Sequence, residues 1–350
     1  MKTIYYITAN GALYIDNGNI FFEPNIDNKS LSNKLHNDQS SELSLVDSRR
    51  AIPIENTSSI CCFSHVQFDT SFYSFIAKYN IPLIIFDNFS PVGTFYNNFS
   101  QSDGELTVFQ SLHHISKSKR LTLARKFVHG SIANKIVNLA YYANRNKIGG
   151  FQVQRFASII HQIYQANEIN SVMLAEAQAQ KLYFSHFNLI FKNPEFSFTK
   201  RIFNPPPDPV NALISFTYAL LYSTMITEIA VTFLNPFISY LHQPGNNRVS
   251  LIWDMSDIFK PIICDRLVFK LINSKSIKTD MFEYNDGKCL LNKVGRQKVV
   301  LAYNNKIKTT IFNRETQKQQ SYRSIIRNEY YKLIRHLKGE EEYKPIKMWW

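Results

Sequence analysis

The chain has 350 residues, 45% hydrophobic and 19% charged, which suits a folded protein with a sizeable core and is long enough for two domains. Lys and Arg total 40 against 27 Asp and Glu, a formal charge of +13. The excess is localised, with no acid between Glu105 and Glu168 and 19 basic against 9 acidic side chains over residues 261–350. Such a field is the footprint of a polyanion, and it puts nucleic acid ahead of solubility as the explanation.

In chain order, the first ~100 residues predict a β-rich region of short aromatic and β-branched runs between turns. Thr3–Thr8 and Ala12–Asp16 form a hairpin through Ala9-Asn10-Gly11 on this reading, and Asp16-Asn17-Gly18 turns into a third strand, Asn19–Glu23. Residues 25–48, rich in Asn, Ser, Asp and Leu, read as an inserted mobile loop. Ile60–Phe68 predicts a strand, Asp69–Tyr79 a helix capped by Asp69, and Ile81–Phe86 a buried strand. A turn over Asn88–Gly93 and a last strand over Thr94–Phe99 complete the region, and Ser102-Asp103-Gly104 is the linker.

Beyond it the pattern is helical. Val108–Asn144 is one helix or two, followed by helices over Gln152–Gln165 and Ile169–Phe191. Pro205-Pro206-Pro207 is extended, and Asp208-Pro209 caps and opens a helix from Val210 to about Ile226. A short helix from Asn235-Pro236 to His242, a loop, and a helix over Leu251–Phe259 follow. The fold class expected is α+β: a β-rich domain over 1–102, then a larger all-α domain over 103–350. The apolar stretch Ala212–Ile226 is below membrane-spanning length and is followed by Glu228, and Met1–Ile7 is not a secretory leader. Cys61, Cys62, Cys264 and Cys289 show no C-x-x-C spacing and read as buried small hydrophobes in a reducing compartment. A soluble protein of the cytoplasm, with no membrane partner, is expected.

Phosphate-cradling, dinucleotide, H-E-x-x-H and G-x-S-x-G motifs are absent, which removes support for ATP, nicotinamide, zinc-protease and common serine-esterase chemistry. What remains is a set of acids and one histidine inside apolar segments. Glu176 shares a helical face with Met173, Gln180 and Tyr183, where a carboxylate needs a partner or solvent. His242 ends the run Phe237-Ile-Ser-Tyr-Leu-His242. Asp254 and Asp257, three apart, project to one side of a helix, where like charges repel unless a cation or solvent intervenes. Each alone is more often an ordinary surface or structural residue. Together, three carboxylates and an imidazole suit Mg2+ or Mn2+.

The stretch Arg201-Ile-Phe-Asn-Pro-Pro-Pro-Asp208-Pro-Val-Asn211-Ala-Leu-Ile-Ser-Phe-Thr-Tyr218-Ala-Leu-Leu-Tyr222 closely resembles a signature of the CRISPR-associated (Cas) integrase family, the catalytic subunit of spacer acquisition. Its other segments follow in the family's order: the glutamate helix, the proline-led helix, Leu234–His242, then Ser250–Pro261. Ile52-Pro53-Ile54-Glu55, Asn80–Phe86 and the closing Tyr343–Trp350 also fit, so the resemblance spans essentially the whole chain. Ala177 stands where the family usually has Gly, Gln178 where Arg is frequent, and Ser239 where Gly is frequent.

The resemblance implies metal ligands at Glu176, His242 and Asp257, with Asp254 an adjacent essential acid. It implies an N-terminal dimerisation domain and a helical catalytic domain that joins captured DNA to a CRISPR repeat by attack of a 3′-hydroxyl on a phosphodiester. A bound metal would stabilise charge on the phosphoryl oxygens, and His242 is either its ligand or a proton donor to the leaving oxygen. The expected partners are double-stranded and branched DNA, a second copy of the chain, and a small ferredoxin-like Cas protein that completes a heterohexamer. Candidate DNA contacts are Arg201, Asn211, Arg248, Lys288, Arg296, Arg323 and Arg327; the last two lie on a stripe with Tyr331 and Arg335. Arg201 and Asn211 have a second reading, as residues that hold the metal-bearing helices. The rival functions are a general metal-dependent nuclease of branched DNA and a non-catalytic DNA-binding scaffold.

Overall fold

A computed structural model describes residues 2–25, 44–87, 89–95, 103–146, 153–245 and 248–349. The chain divides into two compact units, Met1–Ser102 and Asp103–Trp350.

The first unit contains β1 (Thr3–Ile7), β2 (Gly11–Asp16), β3 (Asn19–Pro24), β4 (Leu45–Val46), β5 (Arg50–Ile52), β6 (Thr57–Cys62), β7 (Val66–Gln67), α1 (Thr70–Lys78), β8 (Leu83–Asp87) and β9 (Ser90–Phe95). They make two sheets, ordered β4-β1-β6-β8-β9 and β5-β3-β2-β7. Their shared core includes Ile7, Phe22, Ile52, Ile60, Phe72 and Leu83. The β2–β3 hairpin forms as expected, its turn carried by Asn17 and Gly18 at φ 47° and 76°, the left-handed pair a tight hairpin turn needs. Asp69 caps α1 by accepting the Phe72 N–H at 2.8 Å.

Four local expectations fail here. The strands β1 and β2 do not pair: β1 lies parallel between β4 and β6, while β2 joins the other sheet. Gly11 is needed for close approach instead of for a turn, since a Cβ there would stand 2.2 Å from the Glu23 carbonyl oxygen. The single strand expected over Ile60–Phe68 is two, β6 and β7, in different sheets. A strand begins at Ser90, inside the expected turn over Asn88–Gly93, and pairs with β8. Of the supposed insertion 25–48, residues 26–43 lie outside the described residues, but Leu45 and Val46 pair with Tyr6 and Ile7. All four failures concern which partner a strand finds, a property its own sequence does not encode.

The second unit begins at α2 (Gly104–Ile115), capped by Asp103, and continues with α3 (Lys117–Asn146), α4 (Val153–Gln165), α5 (Ile169–Phe184), α6 (Phe187–Ile190), α7 (Pro209–Ile229), α8 (Ser250–Lys260), α9 (Arg266–Asn273), α10 (Lys293–Lys308) and α11 (Tyr322–Leu337). It is not wholly helical. Two hairpins intervene, β10 (Phe282–Asn285) with β11 (Lys288–Leu291), and β12 (Thr310–Asn313) with β13 (Lys318–Ser321). Helix α7 runs through the centre, every residue from Val210 to Ile229 buried. Among the described residues it alone is long and apolar enough to cross a membrane, and it lies entirely inside the fold. Its hydroxyls at Thr217, Ser223, Thr224 and Thr227 bond back to carbonyls four residues earlier, so a helix buried all round leaves these groups satisfied. The C-terminal tail packs over α3: a Cβ at Gly130 would come within 2.5 Å of Pro345, and Asn134 bonds the backbone of Ile258, Ile346 and Met348. The four cysteines are buried, and none of them is in a disulfide.

Candidate active site

Helix α7 enters through a polar lock. Asp208 caps it by accepting the Asn211 N–H at 2.8 Å, and the Asn211 amide donates to the other Asp208 oxygen at 2.7 Å and to the Lys200 carbonyl at 3.0 Å. Arg201 donates to the Ile202 carbonyl, to Asn211 and to Ser215 at 2.7, 3.1 and 3.0 Å. Its guanidinium also stands 5.8 Å from the Tyr218 ring centre. Both Arg201 and Asn211 are therefore committed to holding the helix, which is the structural of their two expected roles.

The short helix expected up to His242 does not form; residues 235–242 are a turn-rich loop. The reason is the Asp254 carboxylate on α8. Its Oδ2 accepts the N–H groups of Tyr240 and Leu241 at 2.6 and 2.9 Å, and its Oδ1 accepts the His242 N–H at 3.0 Å. Three successive donors converge on one carboxylate, whereas in a helix they would point along the axis to carbonyls four residues back. From the other side the His114 ring bonds the Ser239 carbonyl at 2.6 Å, and Arg120 donates to the Tyr240 carbonyl at 2.9 Å. The Ser239 hydroxyl donates to the His242 carbonyl at 2.8 Å, so the departure from glycine there adds a bond to the loop.

Asp254 also bonds His242 Nδ1 at 2.8 Å. That hydrogen bond fixes the ring orientation and leaves Nε2 for other work, the arrangement of a carboxylate behind a metal-ligating or proton-transferring histidine. Burial opposes the imidazolium, but the hydrogen bond and charge of Asp254, with Glu176 and Asp257, raise His242 above its usual value. Asp254, 2% exposed and with both oxygens occupied, is a positioning residue.

The carboxyls of Glu176 on α5 and Asp257 on α8 lie close enough for each to act on the other's charge. Burial, then the facing Asp257 charge, push the Glu176 carboxyl up to about 8. Burial would raise Asp257 as well, but the ammonium groups of Lys260 and Lys135 hold it below the usual carboxylate range. Lys260 forms an ion pair with Asp257 one helical turn away, and their side chains keep only 17% exposure each. The cluster thus has a partial opening to solvent, and Ala177, next to Glu176, is itself exposed.

Among the described residues no group of three or more His, Cys, Asp or Glu side chains is placed to hold a metal ion. The expected ligands come together in part: Glu176, Asp257 and His242 share one electrostatic neighbourhood. The donor chemistry fits a hard divalent cation, since two carboxylates crowd each other and an oriented imidazole keeps one nitrogen unused.

The remaining basic candidates separate into two kinds. Arg323 is buried and, with Arg327, clasps Glu228 of α7; the basic stripe is spent inside the protein at Arg323, while Arg327 stays exposed. Arg335 pairs with Glu341 at 2.7 Å. Arg296 is half-buried and donates to the Leu291 carbonyl at 2.8 Å. Arg248 and Lys288 are exposed. Lys135 and Lys260 were missed by sequence reasoning. A signal existed for Lys135, which interrupts the apolar stripe Val128, Ile132, Leu139, Tyr142 at helical spacing.

A sequence profile described as CRISPR associated protein Cas1 matches residues 5–305. A protein named CRISPR-associated endonuclease Cas1 from Clostridium perfringens is 35% identical over 349 residues, covering 99% of each chain. The structure of a CAS1 protein from Thermotoga maritima superposes with a TM-score of 0.80 at 29% identity, covering 98% of this chain and 100% of that one. A casposase bound to integration product shares the fold, with a TM-score of 0.82 at 17% identity, over 99% of this chain and 93% of that one. With the glutamate helix, the proline-led helix and the histidine loop all in that family's order, the chain belongs to the Cas1 family.

Proposed function

We propose that this chain is a divalent-metal-dependent DNA endonuclease and integrase that inserts captured DNA fragments into a CRISPR array by 3′-hydroxyl transesterification. The observation that carries this reading is the electrostatically coupled pair Glu176 and Asp257, partly open to solvent near a histidine oriented by Asp254. The pair lies in a chain that aligns end to end with a protein named as an endonuclease. Glu176, Asp257 and His242 Nε2 would hold Mg2+ or Mn2+. When bound, such an ion supplies charge stabilisation at the phosphoryl oxygens and a lowered pKa for the attacking hydroxyl.

The rest of the work falls to the chain. Asp254 holds the histidine loop and the imidazole in one geometry, so His242 is ready either to bind through Nε2 or to donate a proton to the leaving oxygen. Exposed Arg248 and Lys288 supply phosphate contacts whose strength falls with salt. We further propose that the chain works in the prokaryotic cytoplasm as a homodimer and that a small ferredoxin-like Cas protein bridges two such dimers into a heterohexamer. Double-stranded and branched DNA carrying the CRISPR repeat would be the substrate.

The test is an integration assay with a supercoiled CRISPR array, a duplex with free 3′-hydroxyls, the partner protein and Mn2+. Joined products from the wild type and none from Glu176→Ala are expected. Cleavage without joining would favour a general nuclease of branched DNA, and a Glu176→Ala protein with unchanged activity would favour a scaffold.

A further inference from the structure

Helix α3 packs against α5, α8 and the π-helical turn over Pro261–Asp265, and Lys135 points into that junction. Lys135 is 1% exposed, and among the described residues its Nζ has no hydrogen-bond partner. A buried ammonium without a single acceptor is costly, so what faces it must offset the cost. The groups that act on it are Asp257, Glu176, Lys260 and, beyond them, Asp265. Asp265 is served by the hydroxyls of Tyr183 and Tyr218 at 3.0 and 2.9 Å, and Asp254 by the histidine loop. The hydroxyls are neutral, so Glu176, Asp257 and Asp265 face Lys135 and Lys260 in one balance of charge.

With all five ionised, three carboxylates against two ammonium groups, the cluster carries a single negative charge. Moving a proton from Lys135 to Glu176 leaves the sum unchanged. A divalent ion added to this cluster therefore leaves it net positive in a place largely shielded from water. Lys135 cannot relieve it by moving out, since it has no opening to solvent. Lys260 has a 17% exposed side chain and stands 5.0 and 5.4 Å from the ring centres of Tyr218 and Tyr222, whose faces attract an ammonium, so it too is held. What can restore the balance is an anion entering from the open side.

We propose that Lys135 and Lys260 are resident counter-cations of the Glu176–Asp257 pair, which make divalent-ion occupancy depend on the arrival of a DNA phosphate. This rests on the metal-site reading above. The protein without DNA would take up the ion weakly, and ion and phosphodiester would bind together. Lys135 is then a positioning residue that suppresses ion uptake in the absence of substrate.

The test is a Mn2+ titration, followed by the electron-spin signal of free Mn2+, on the full chain with and without a short duplex DNA, after subtraction of the duplex alone. For the wild type, duplex should raise Mn2+ affinity about tenfold. Lys135→Met, which keeps the length and drops the charge, should bind Mn2+ about tenfold more tightly than the wild type without DNA, and its gain from DNA should shrink. Lys260→Met should shift the same way and serves if Lys135→Met does not fold, as judged by circular dichroism and melting. Equal wild-type affinity with and without duplex, or folded lysine variants that bind Mn2+ no more tightly, would overturn the proposal. Glu176→Ala separates the two readings. If the wild type binds Mn2+ and Glu176→Ala does not, while the lysine variants match the wild type, only the counter-cation proposal fails. If no protein binds Mn2+ in any condition, the metal site fails and this proposal with it.

Discussion

Two buried charge clusters in the helical unit are built from similar residues and finished differently. In the first, Glu228 of α7 meets Arg323 and Arg327 of α11, and each carboxylate oxygen has its own guanidinium. In the second, the Glu176 and Asp257 charges oppose each other, Lys260 serves one of them, and among the described residues the Lys135 ammonium has no acceptor. A charge-assisted network with every atom paired is a structural joint. One that crowds like charges and leaves an ammonium unmatched keeps a strain that only a further charged group relieves, which is how a binding site differs from a joint.

The comparison breaks first on activity. Glu176→Ala or Asp257→Ala should lower DNA cleavage and joining by about a thousandfold or more; Glu176→Ala should melt at or above the wild type because it removes a crowded acid, whereas Asp257→Ala should melt lower because it strands Lys260. Arg323→Ala should do the opposite, costing about 3–5 kcal/mol of stability in denaturant melts by stranding Glu228, while Mn2+ binding survives in the folded fraction. If Arg323→Ala left stability intact and abolished DNA binding, the two clusters would have to exchange roles.

A pH series sharpens the contrast. The Glu176 carboxyl stands at about 8 in the metal-free fold, above its unfolded value near 4.3, so the native state holds the extra proton between these limits. Its contribution to stability is full below the unfolded value and is lost as pH rises through the folded one. Metal-free Glu176→Gln should therefore gain on the wild type as pH rises from about 4.5 to 8, by on the order of 2 kcal/mol at the upper end after allowance for partial solvent access. A gap that did not change with pH would mean that Glu176 is not crowded in solution. The smallest effect belongs to the surface: Arg248→Ala and Lys288→Ala should each reduce the slope of log affinity against log salt by about one, with no change in stability.

Legibility in the sequence followed the range of the interaction. Asp69, Asp208 and the Asn17-Gly18 turn were readable because cap and turn bonds close within three residues. The acid positions were readable as anomalies on apolar helices. The helix expected over residues 235–242 was a misreading, since its donors are drawn away by Asp254, a residue on another element. On α11 the four-residue spacing is real, yet it turns Arg323 inward to a glutamate on α7, while the exposed Arg327 pairs with the same glutamate.

By itself, the sequence determined the family, the order of the acid and histidine segments, the division into β-rich and helical regions, and the excess of positive charge. These are properties of local pattern and composition. Only the tertiary structure decided that Asp254 orients His242, that Arg201 and Asn211 lock the entrance of α7, and that Glu176 and Asp257 face two lysines. Those outcomes depend on which helices pack together, because a buried charge takes its role from the charge across from it and not from its neighbours in the chain.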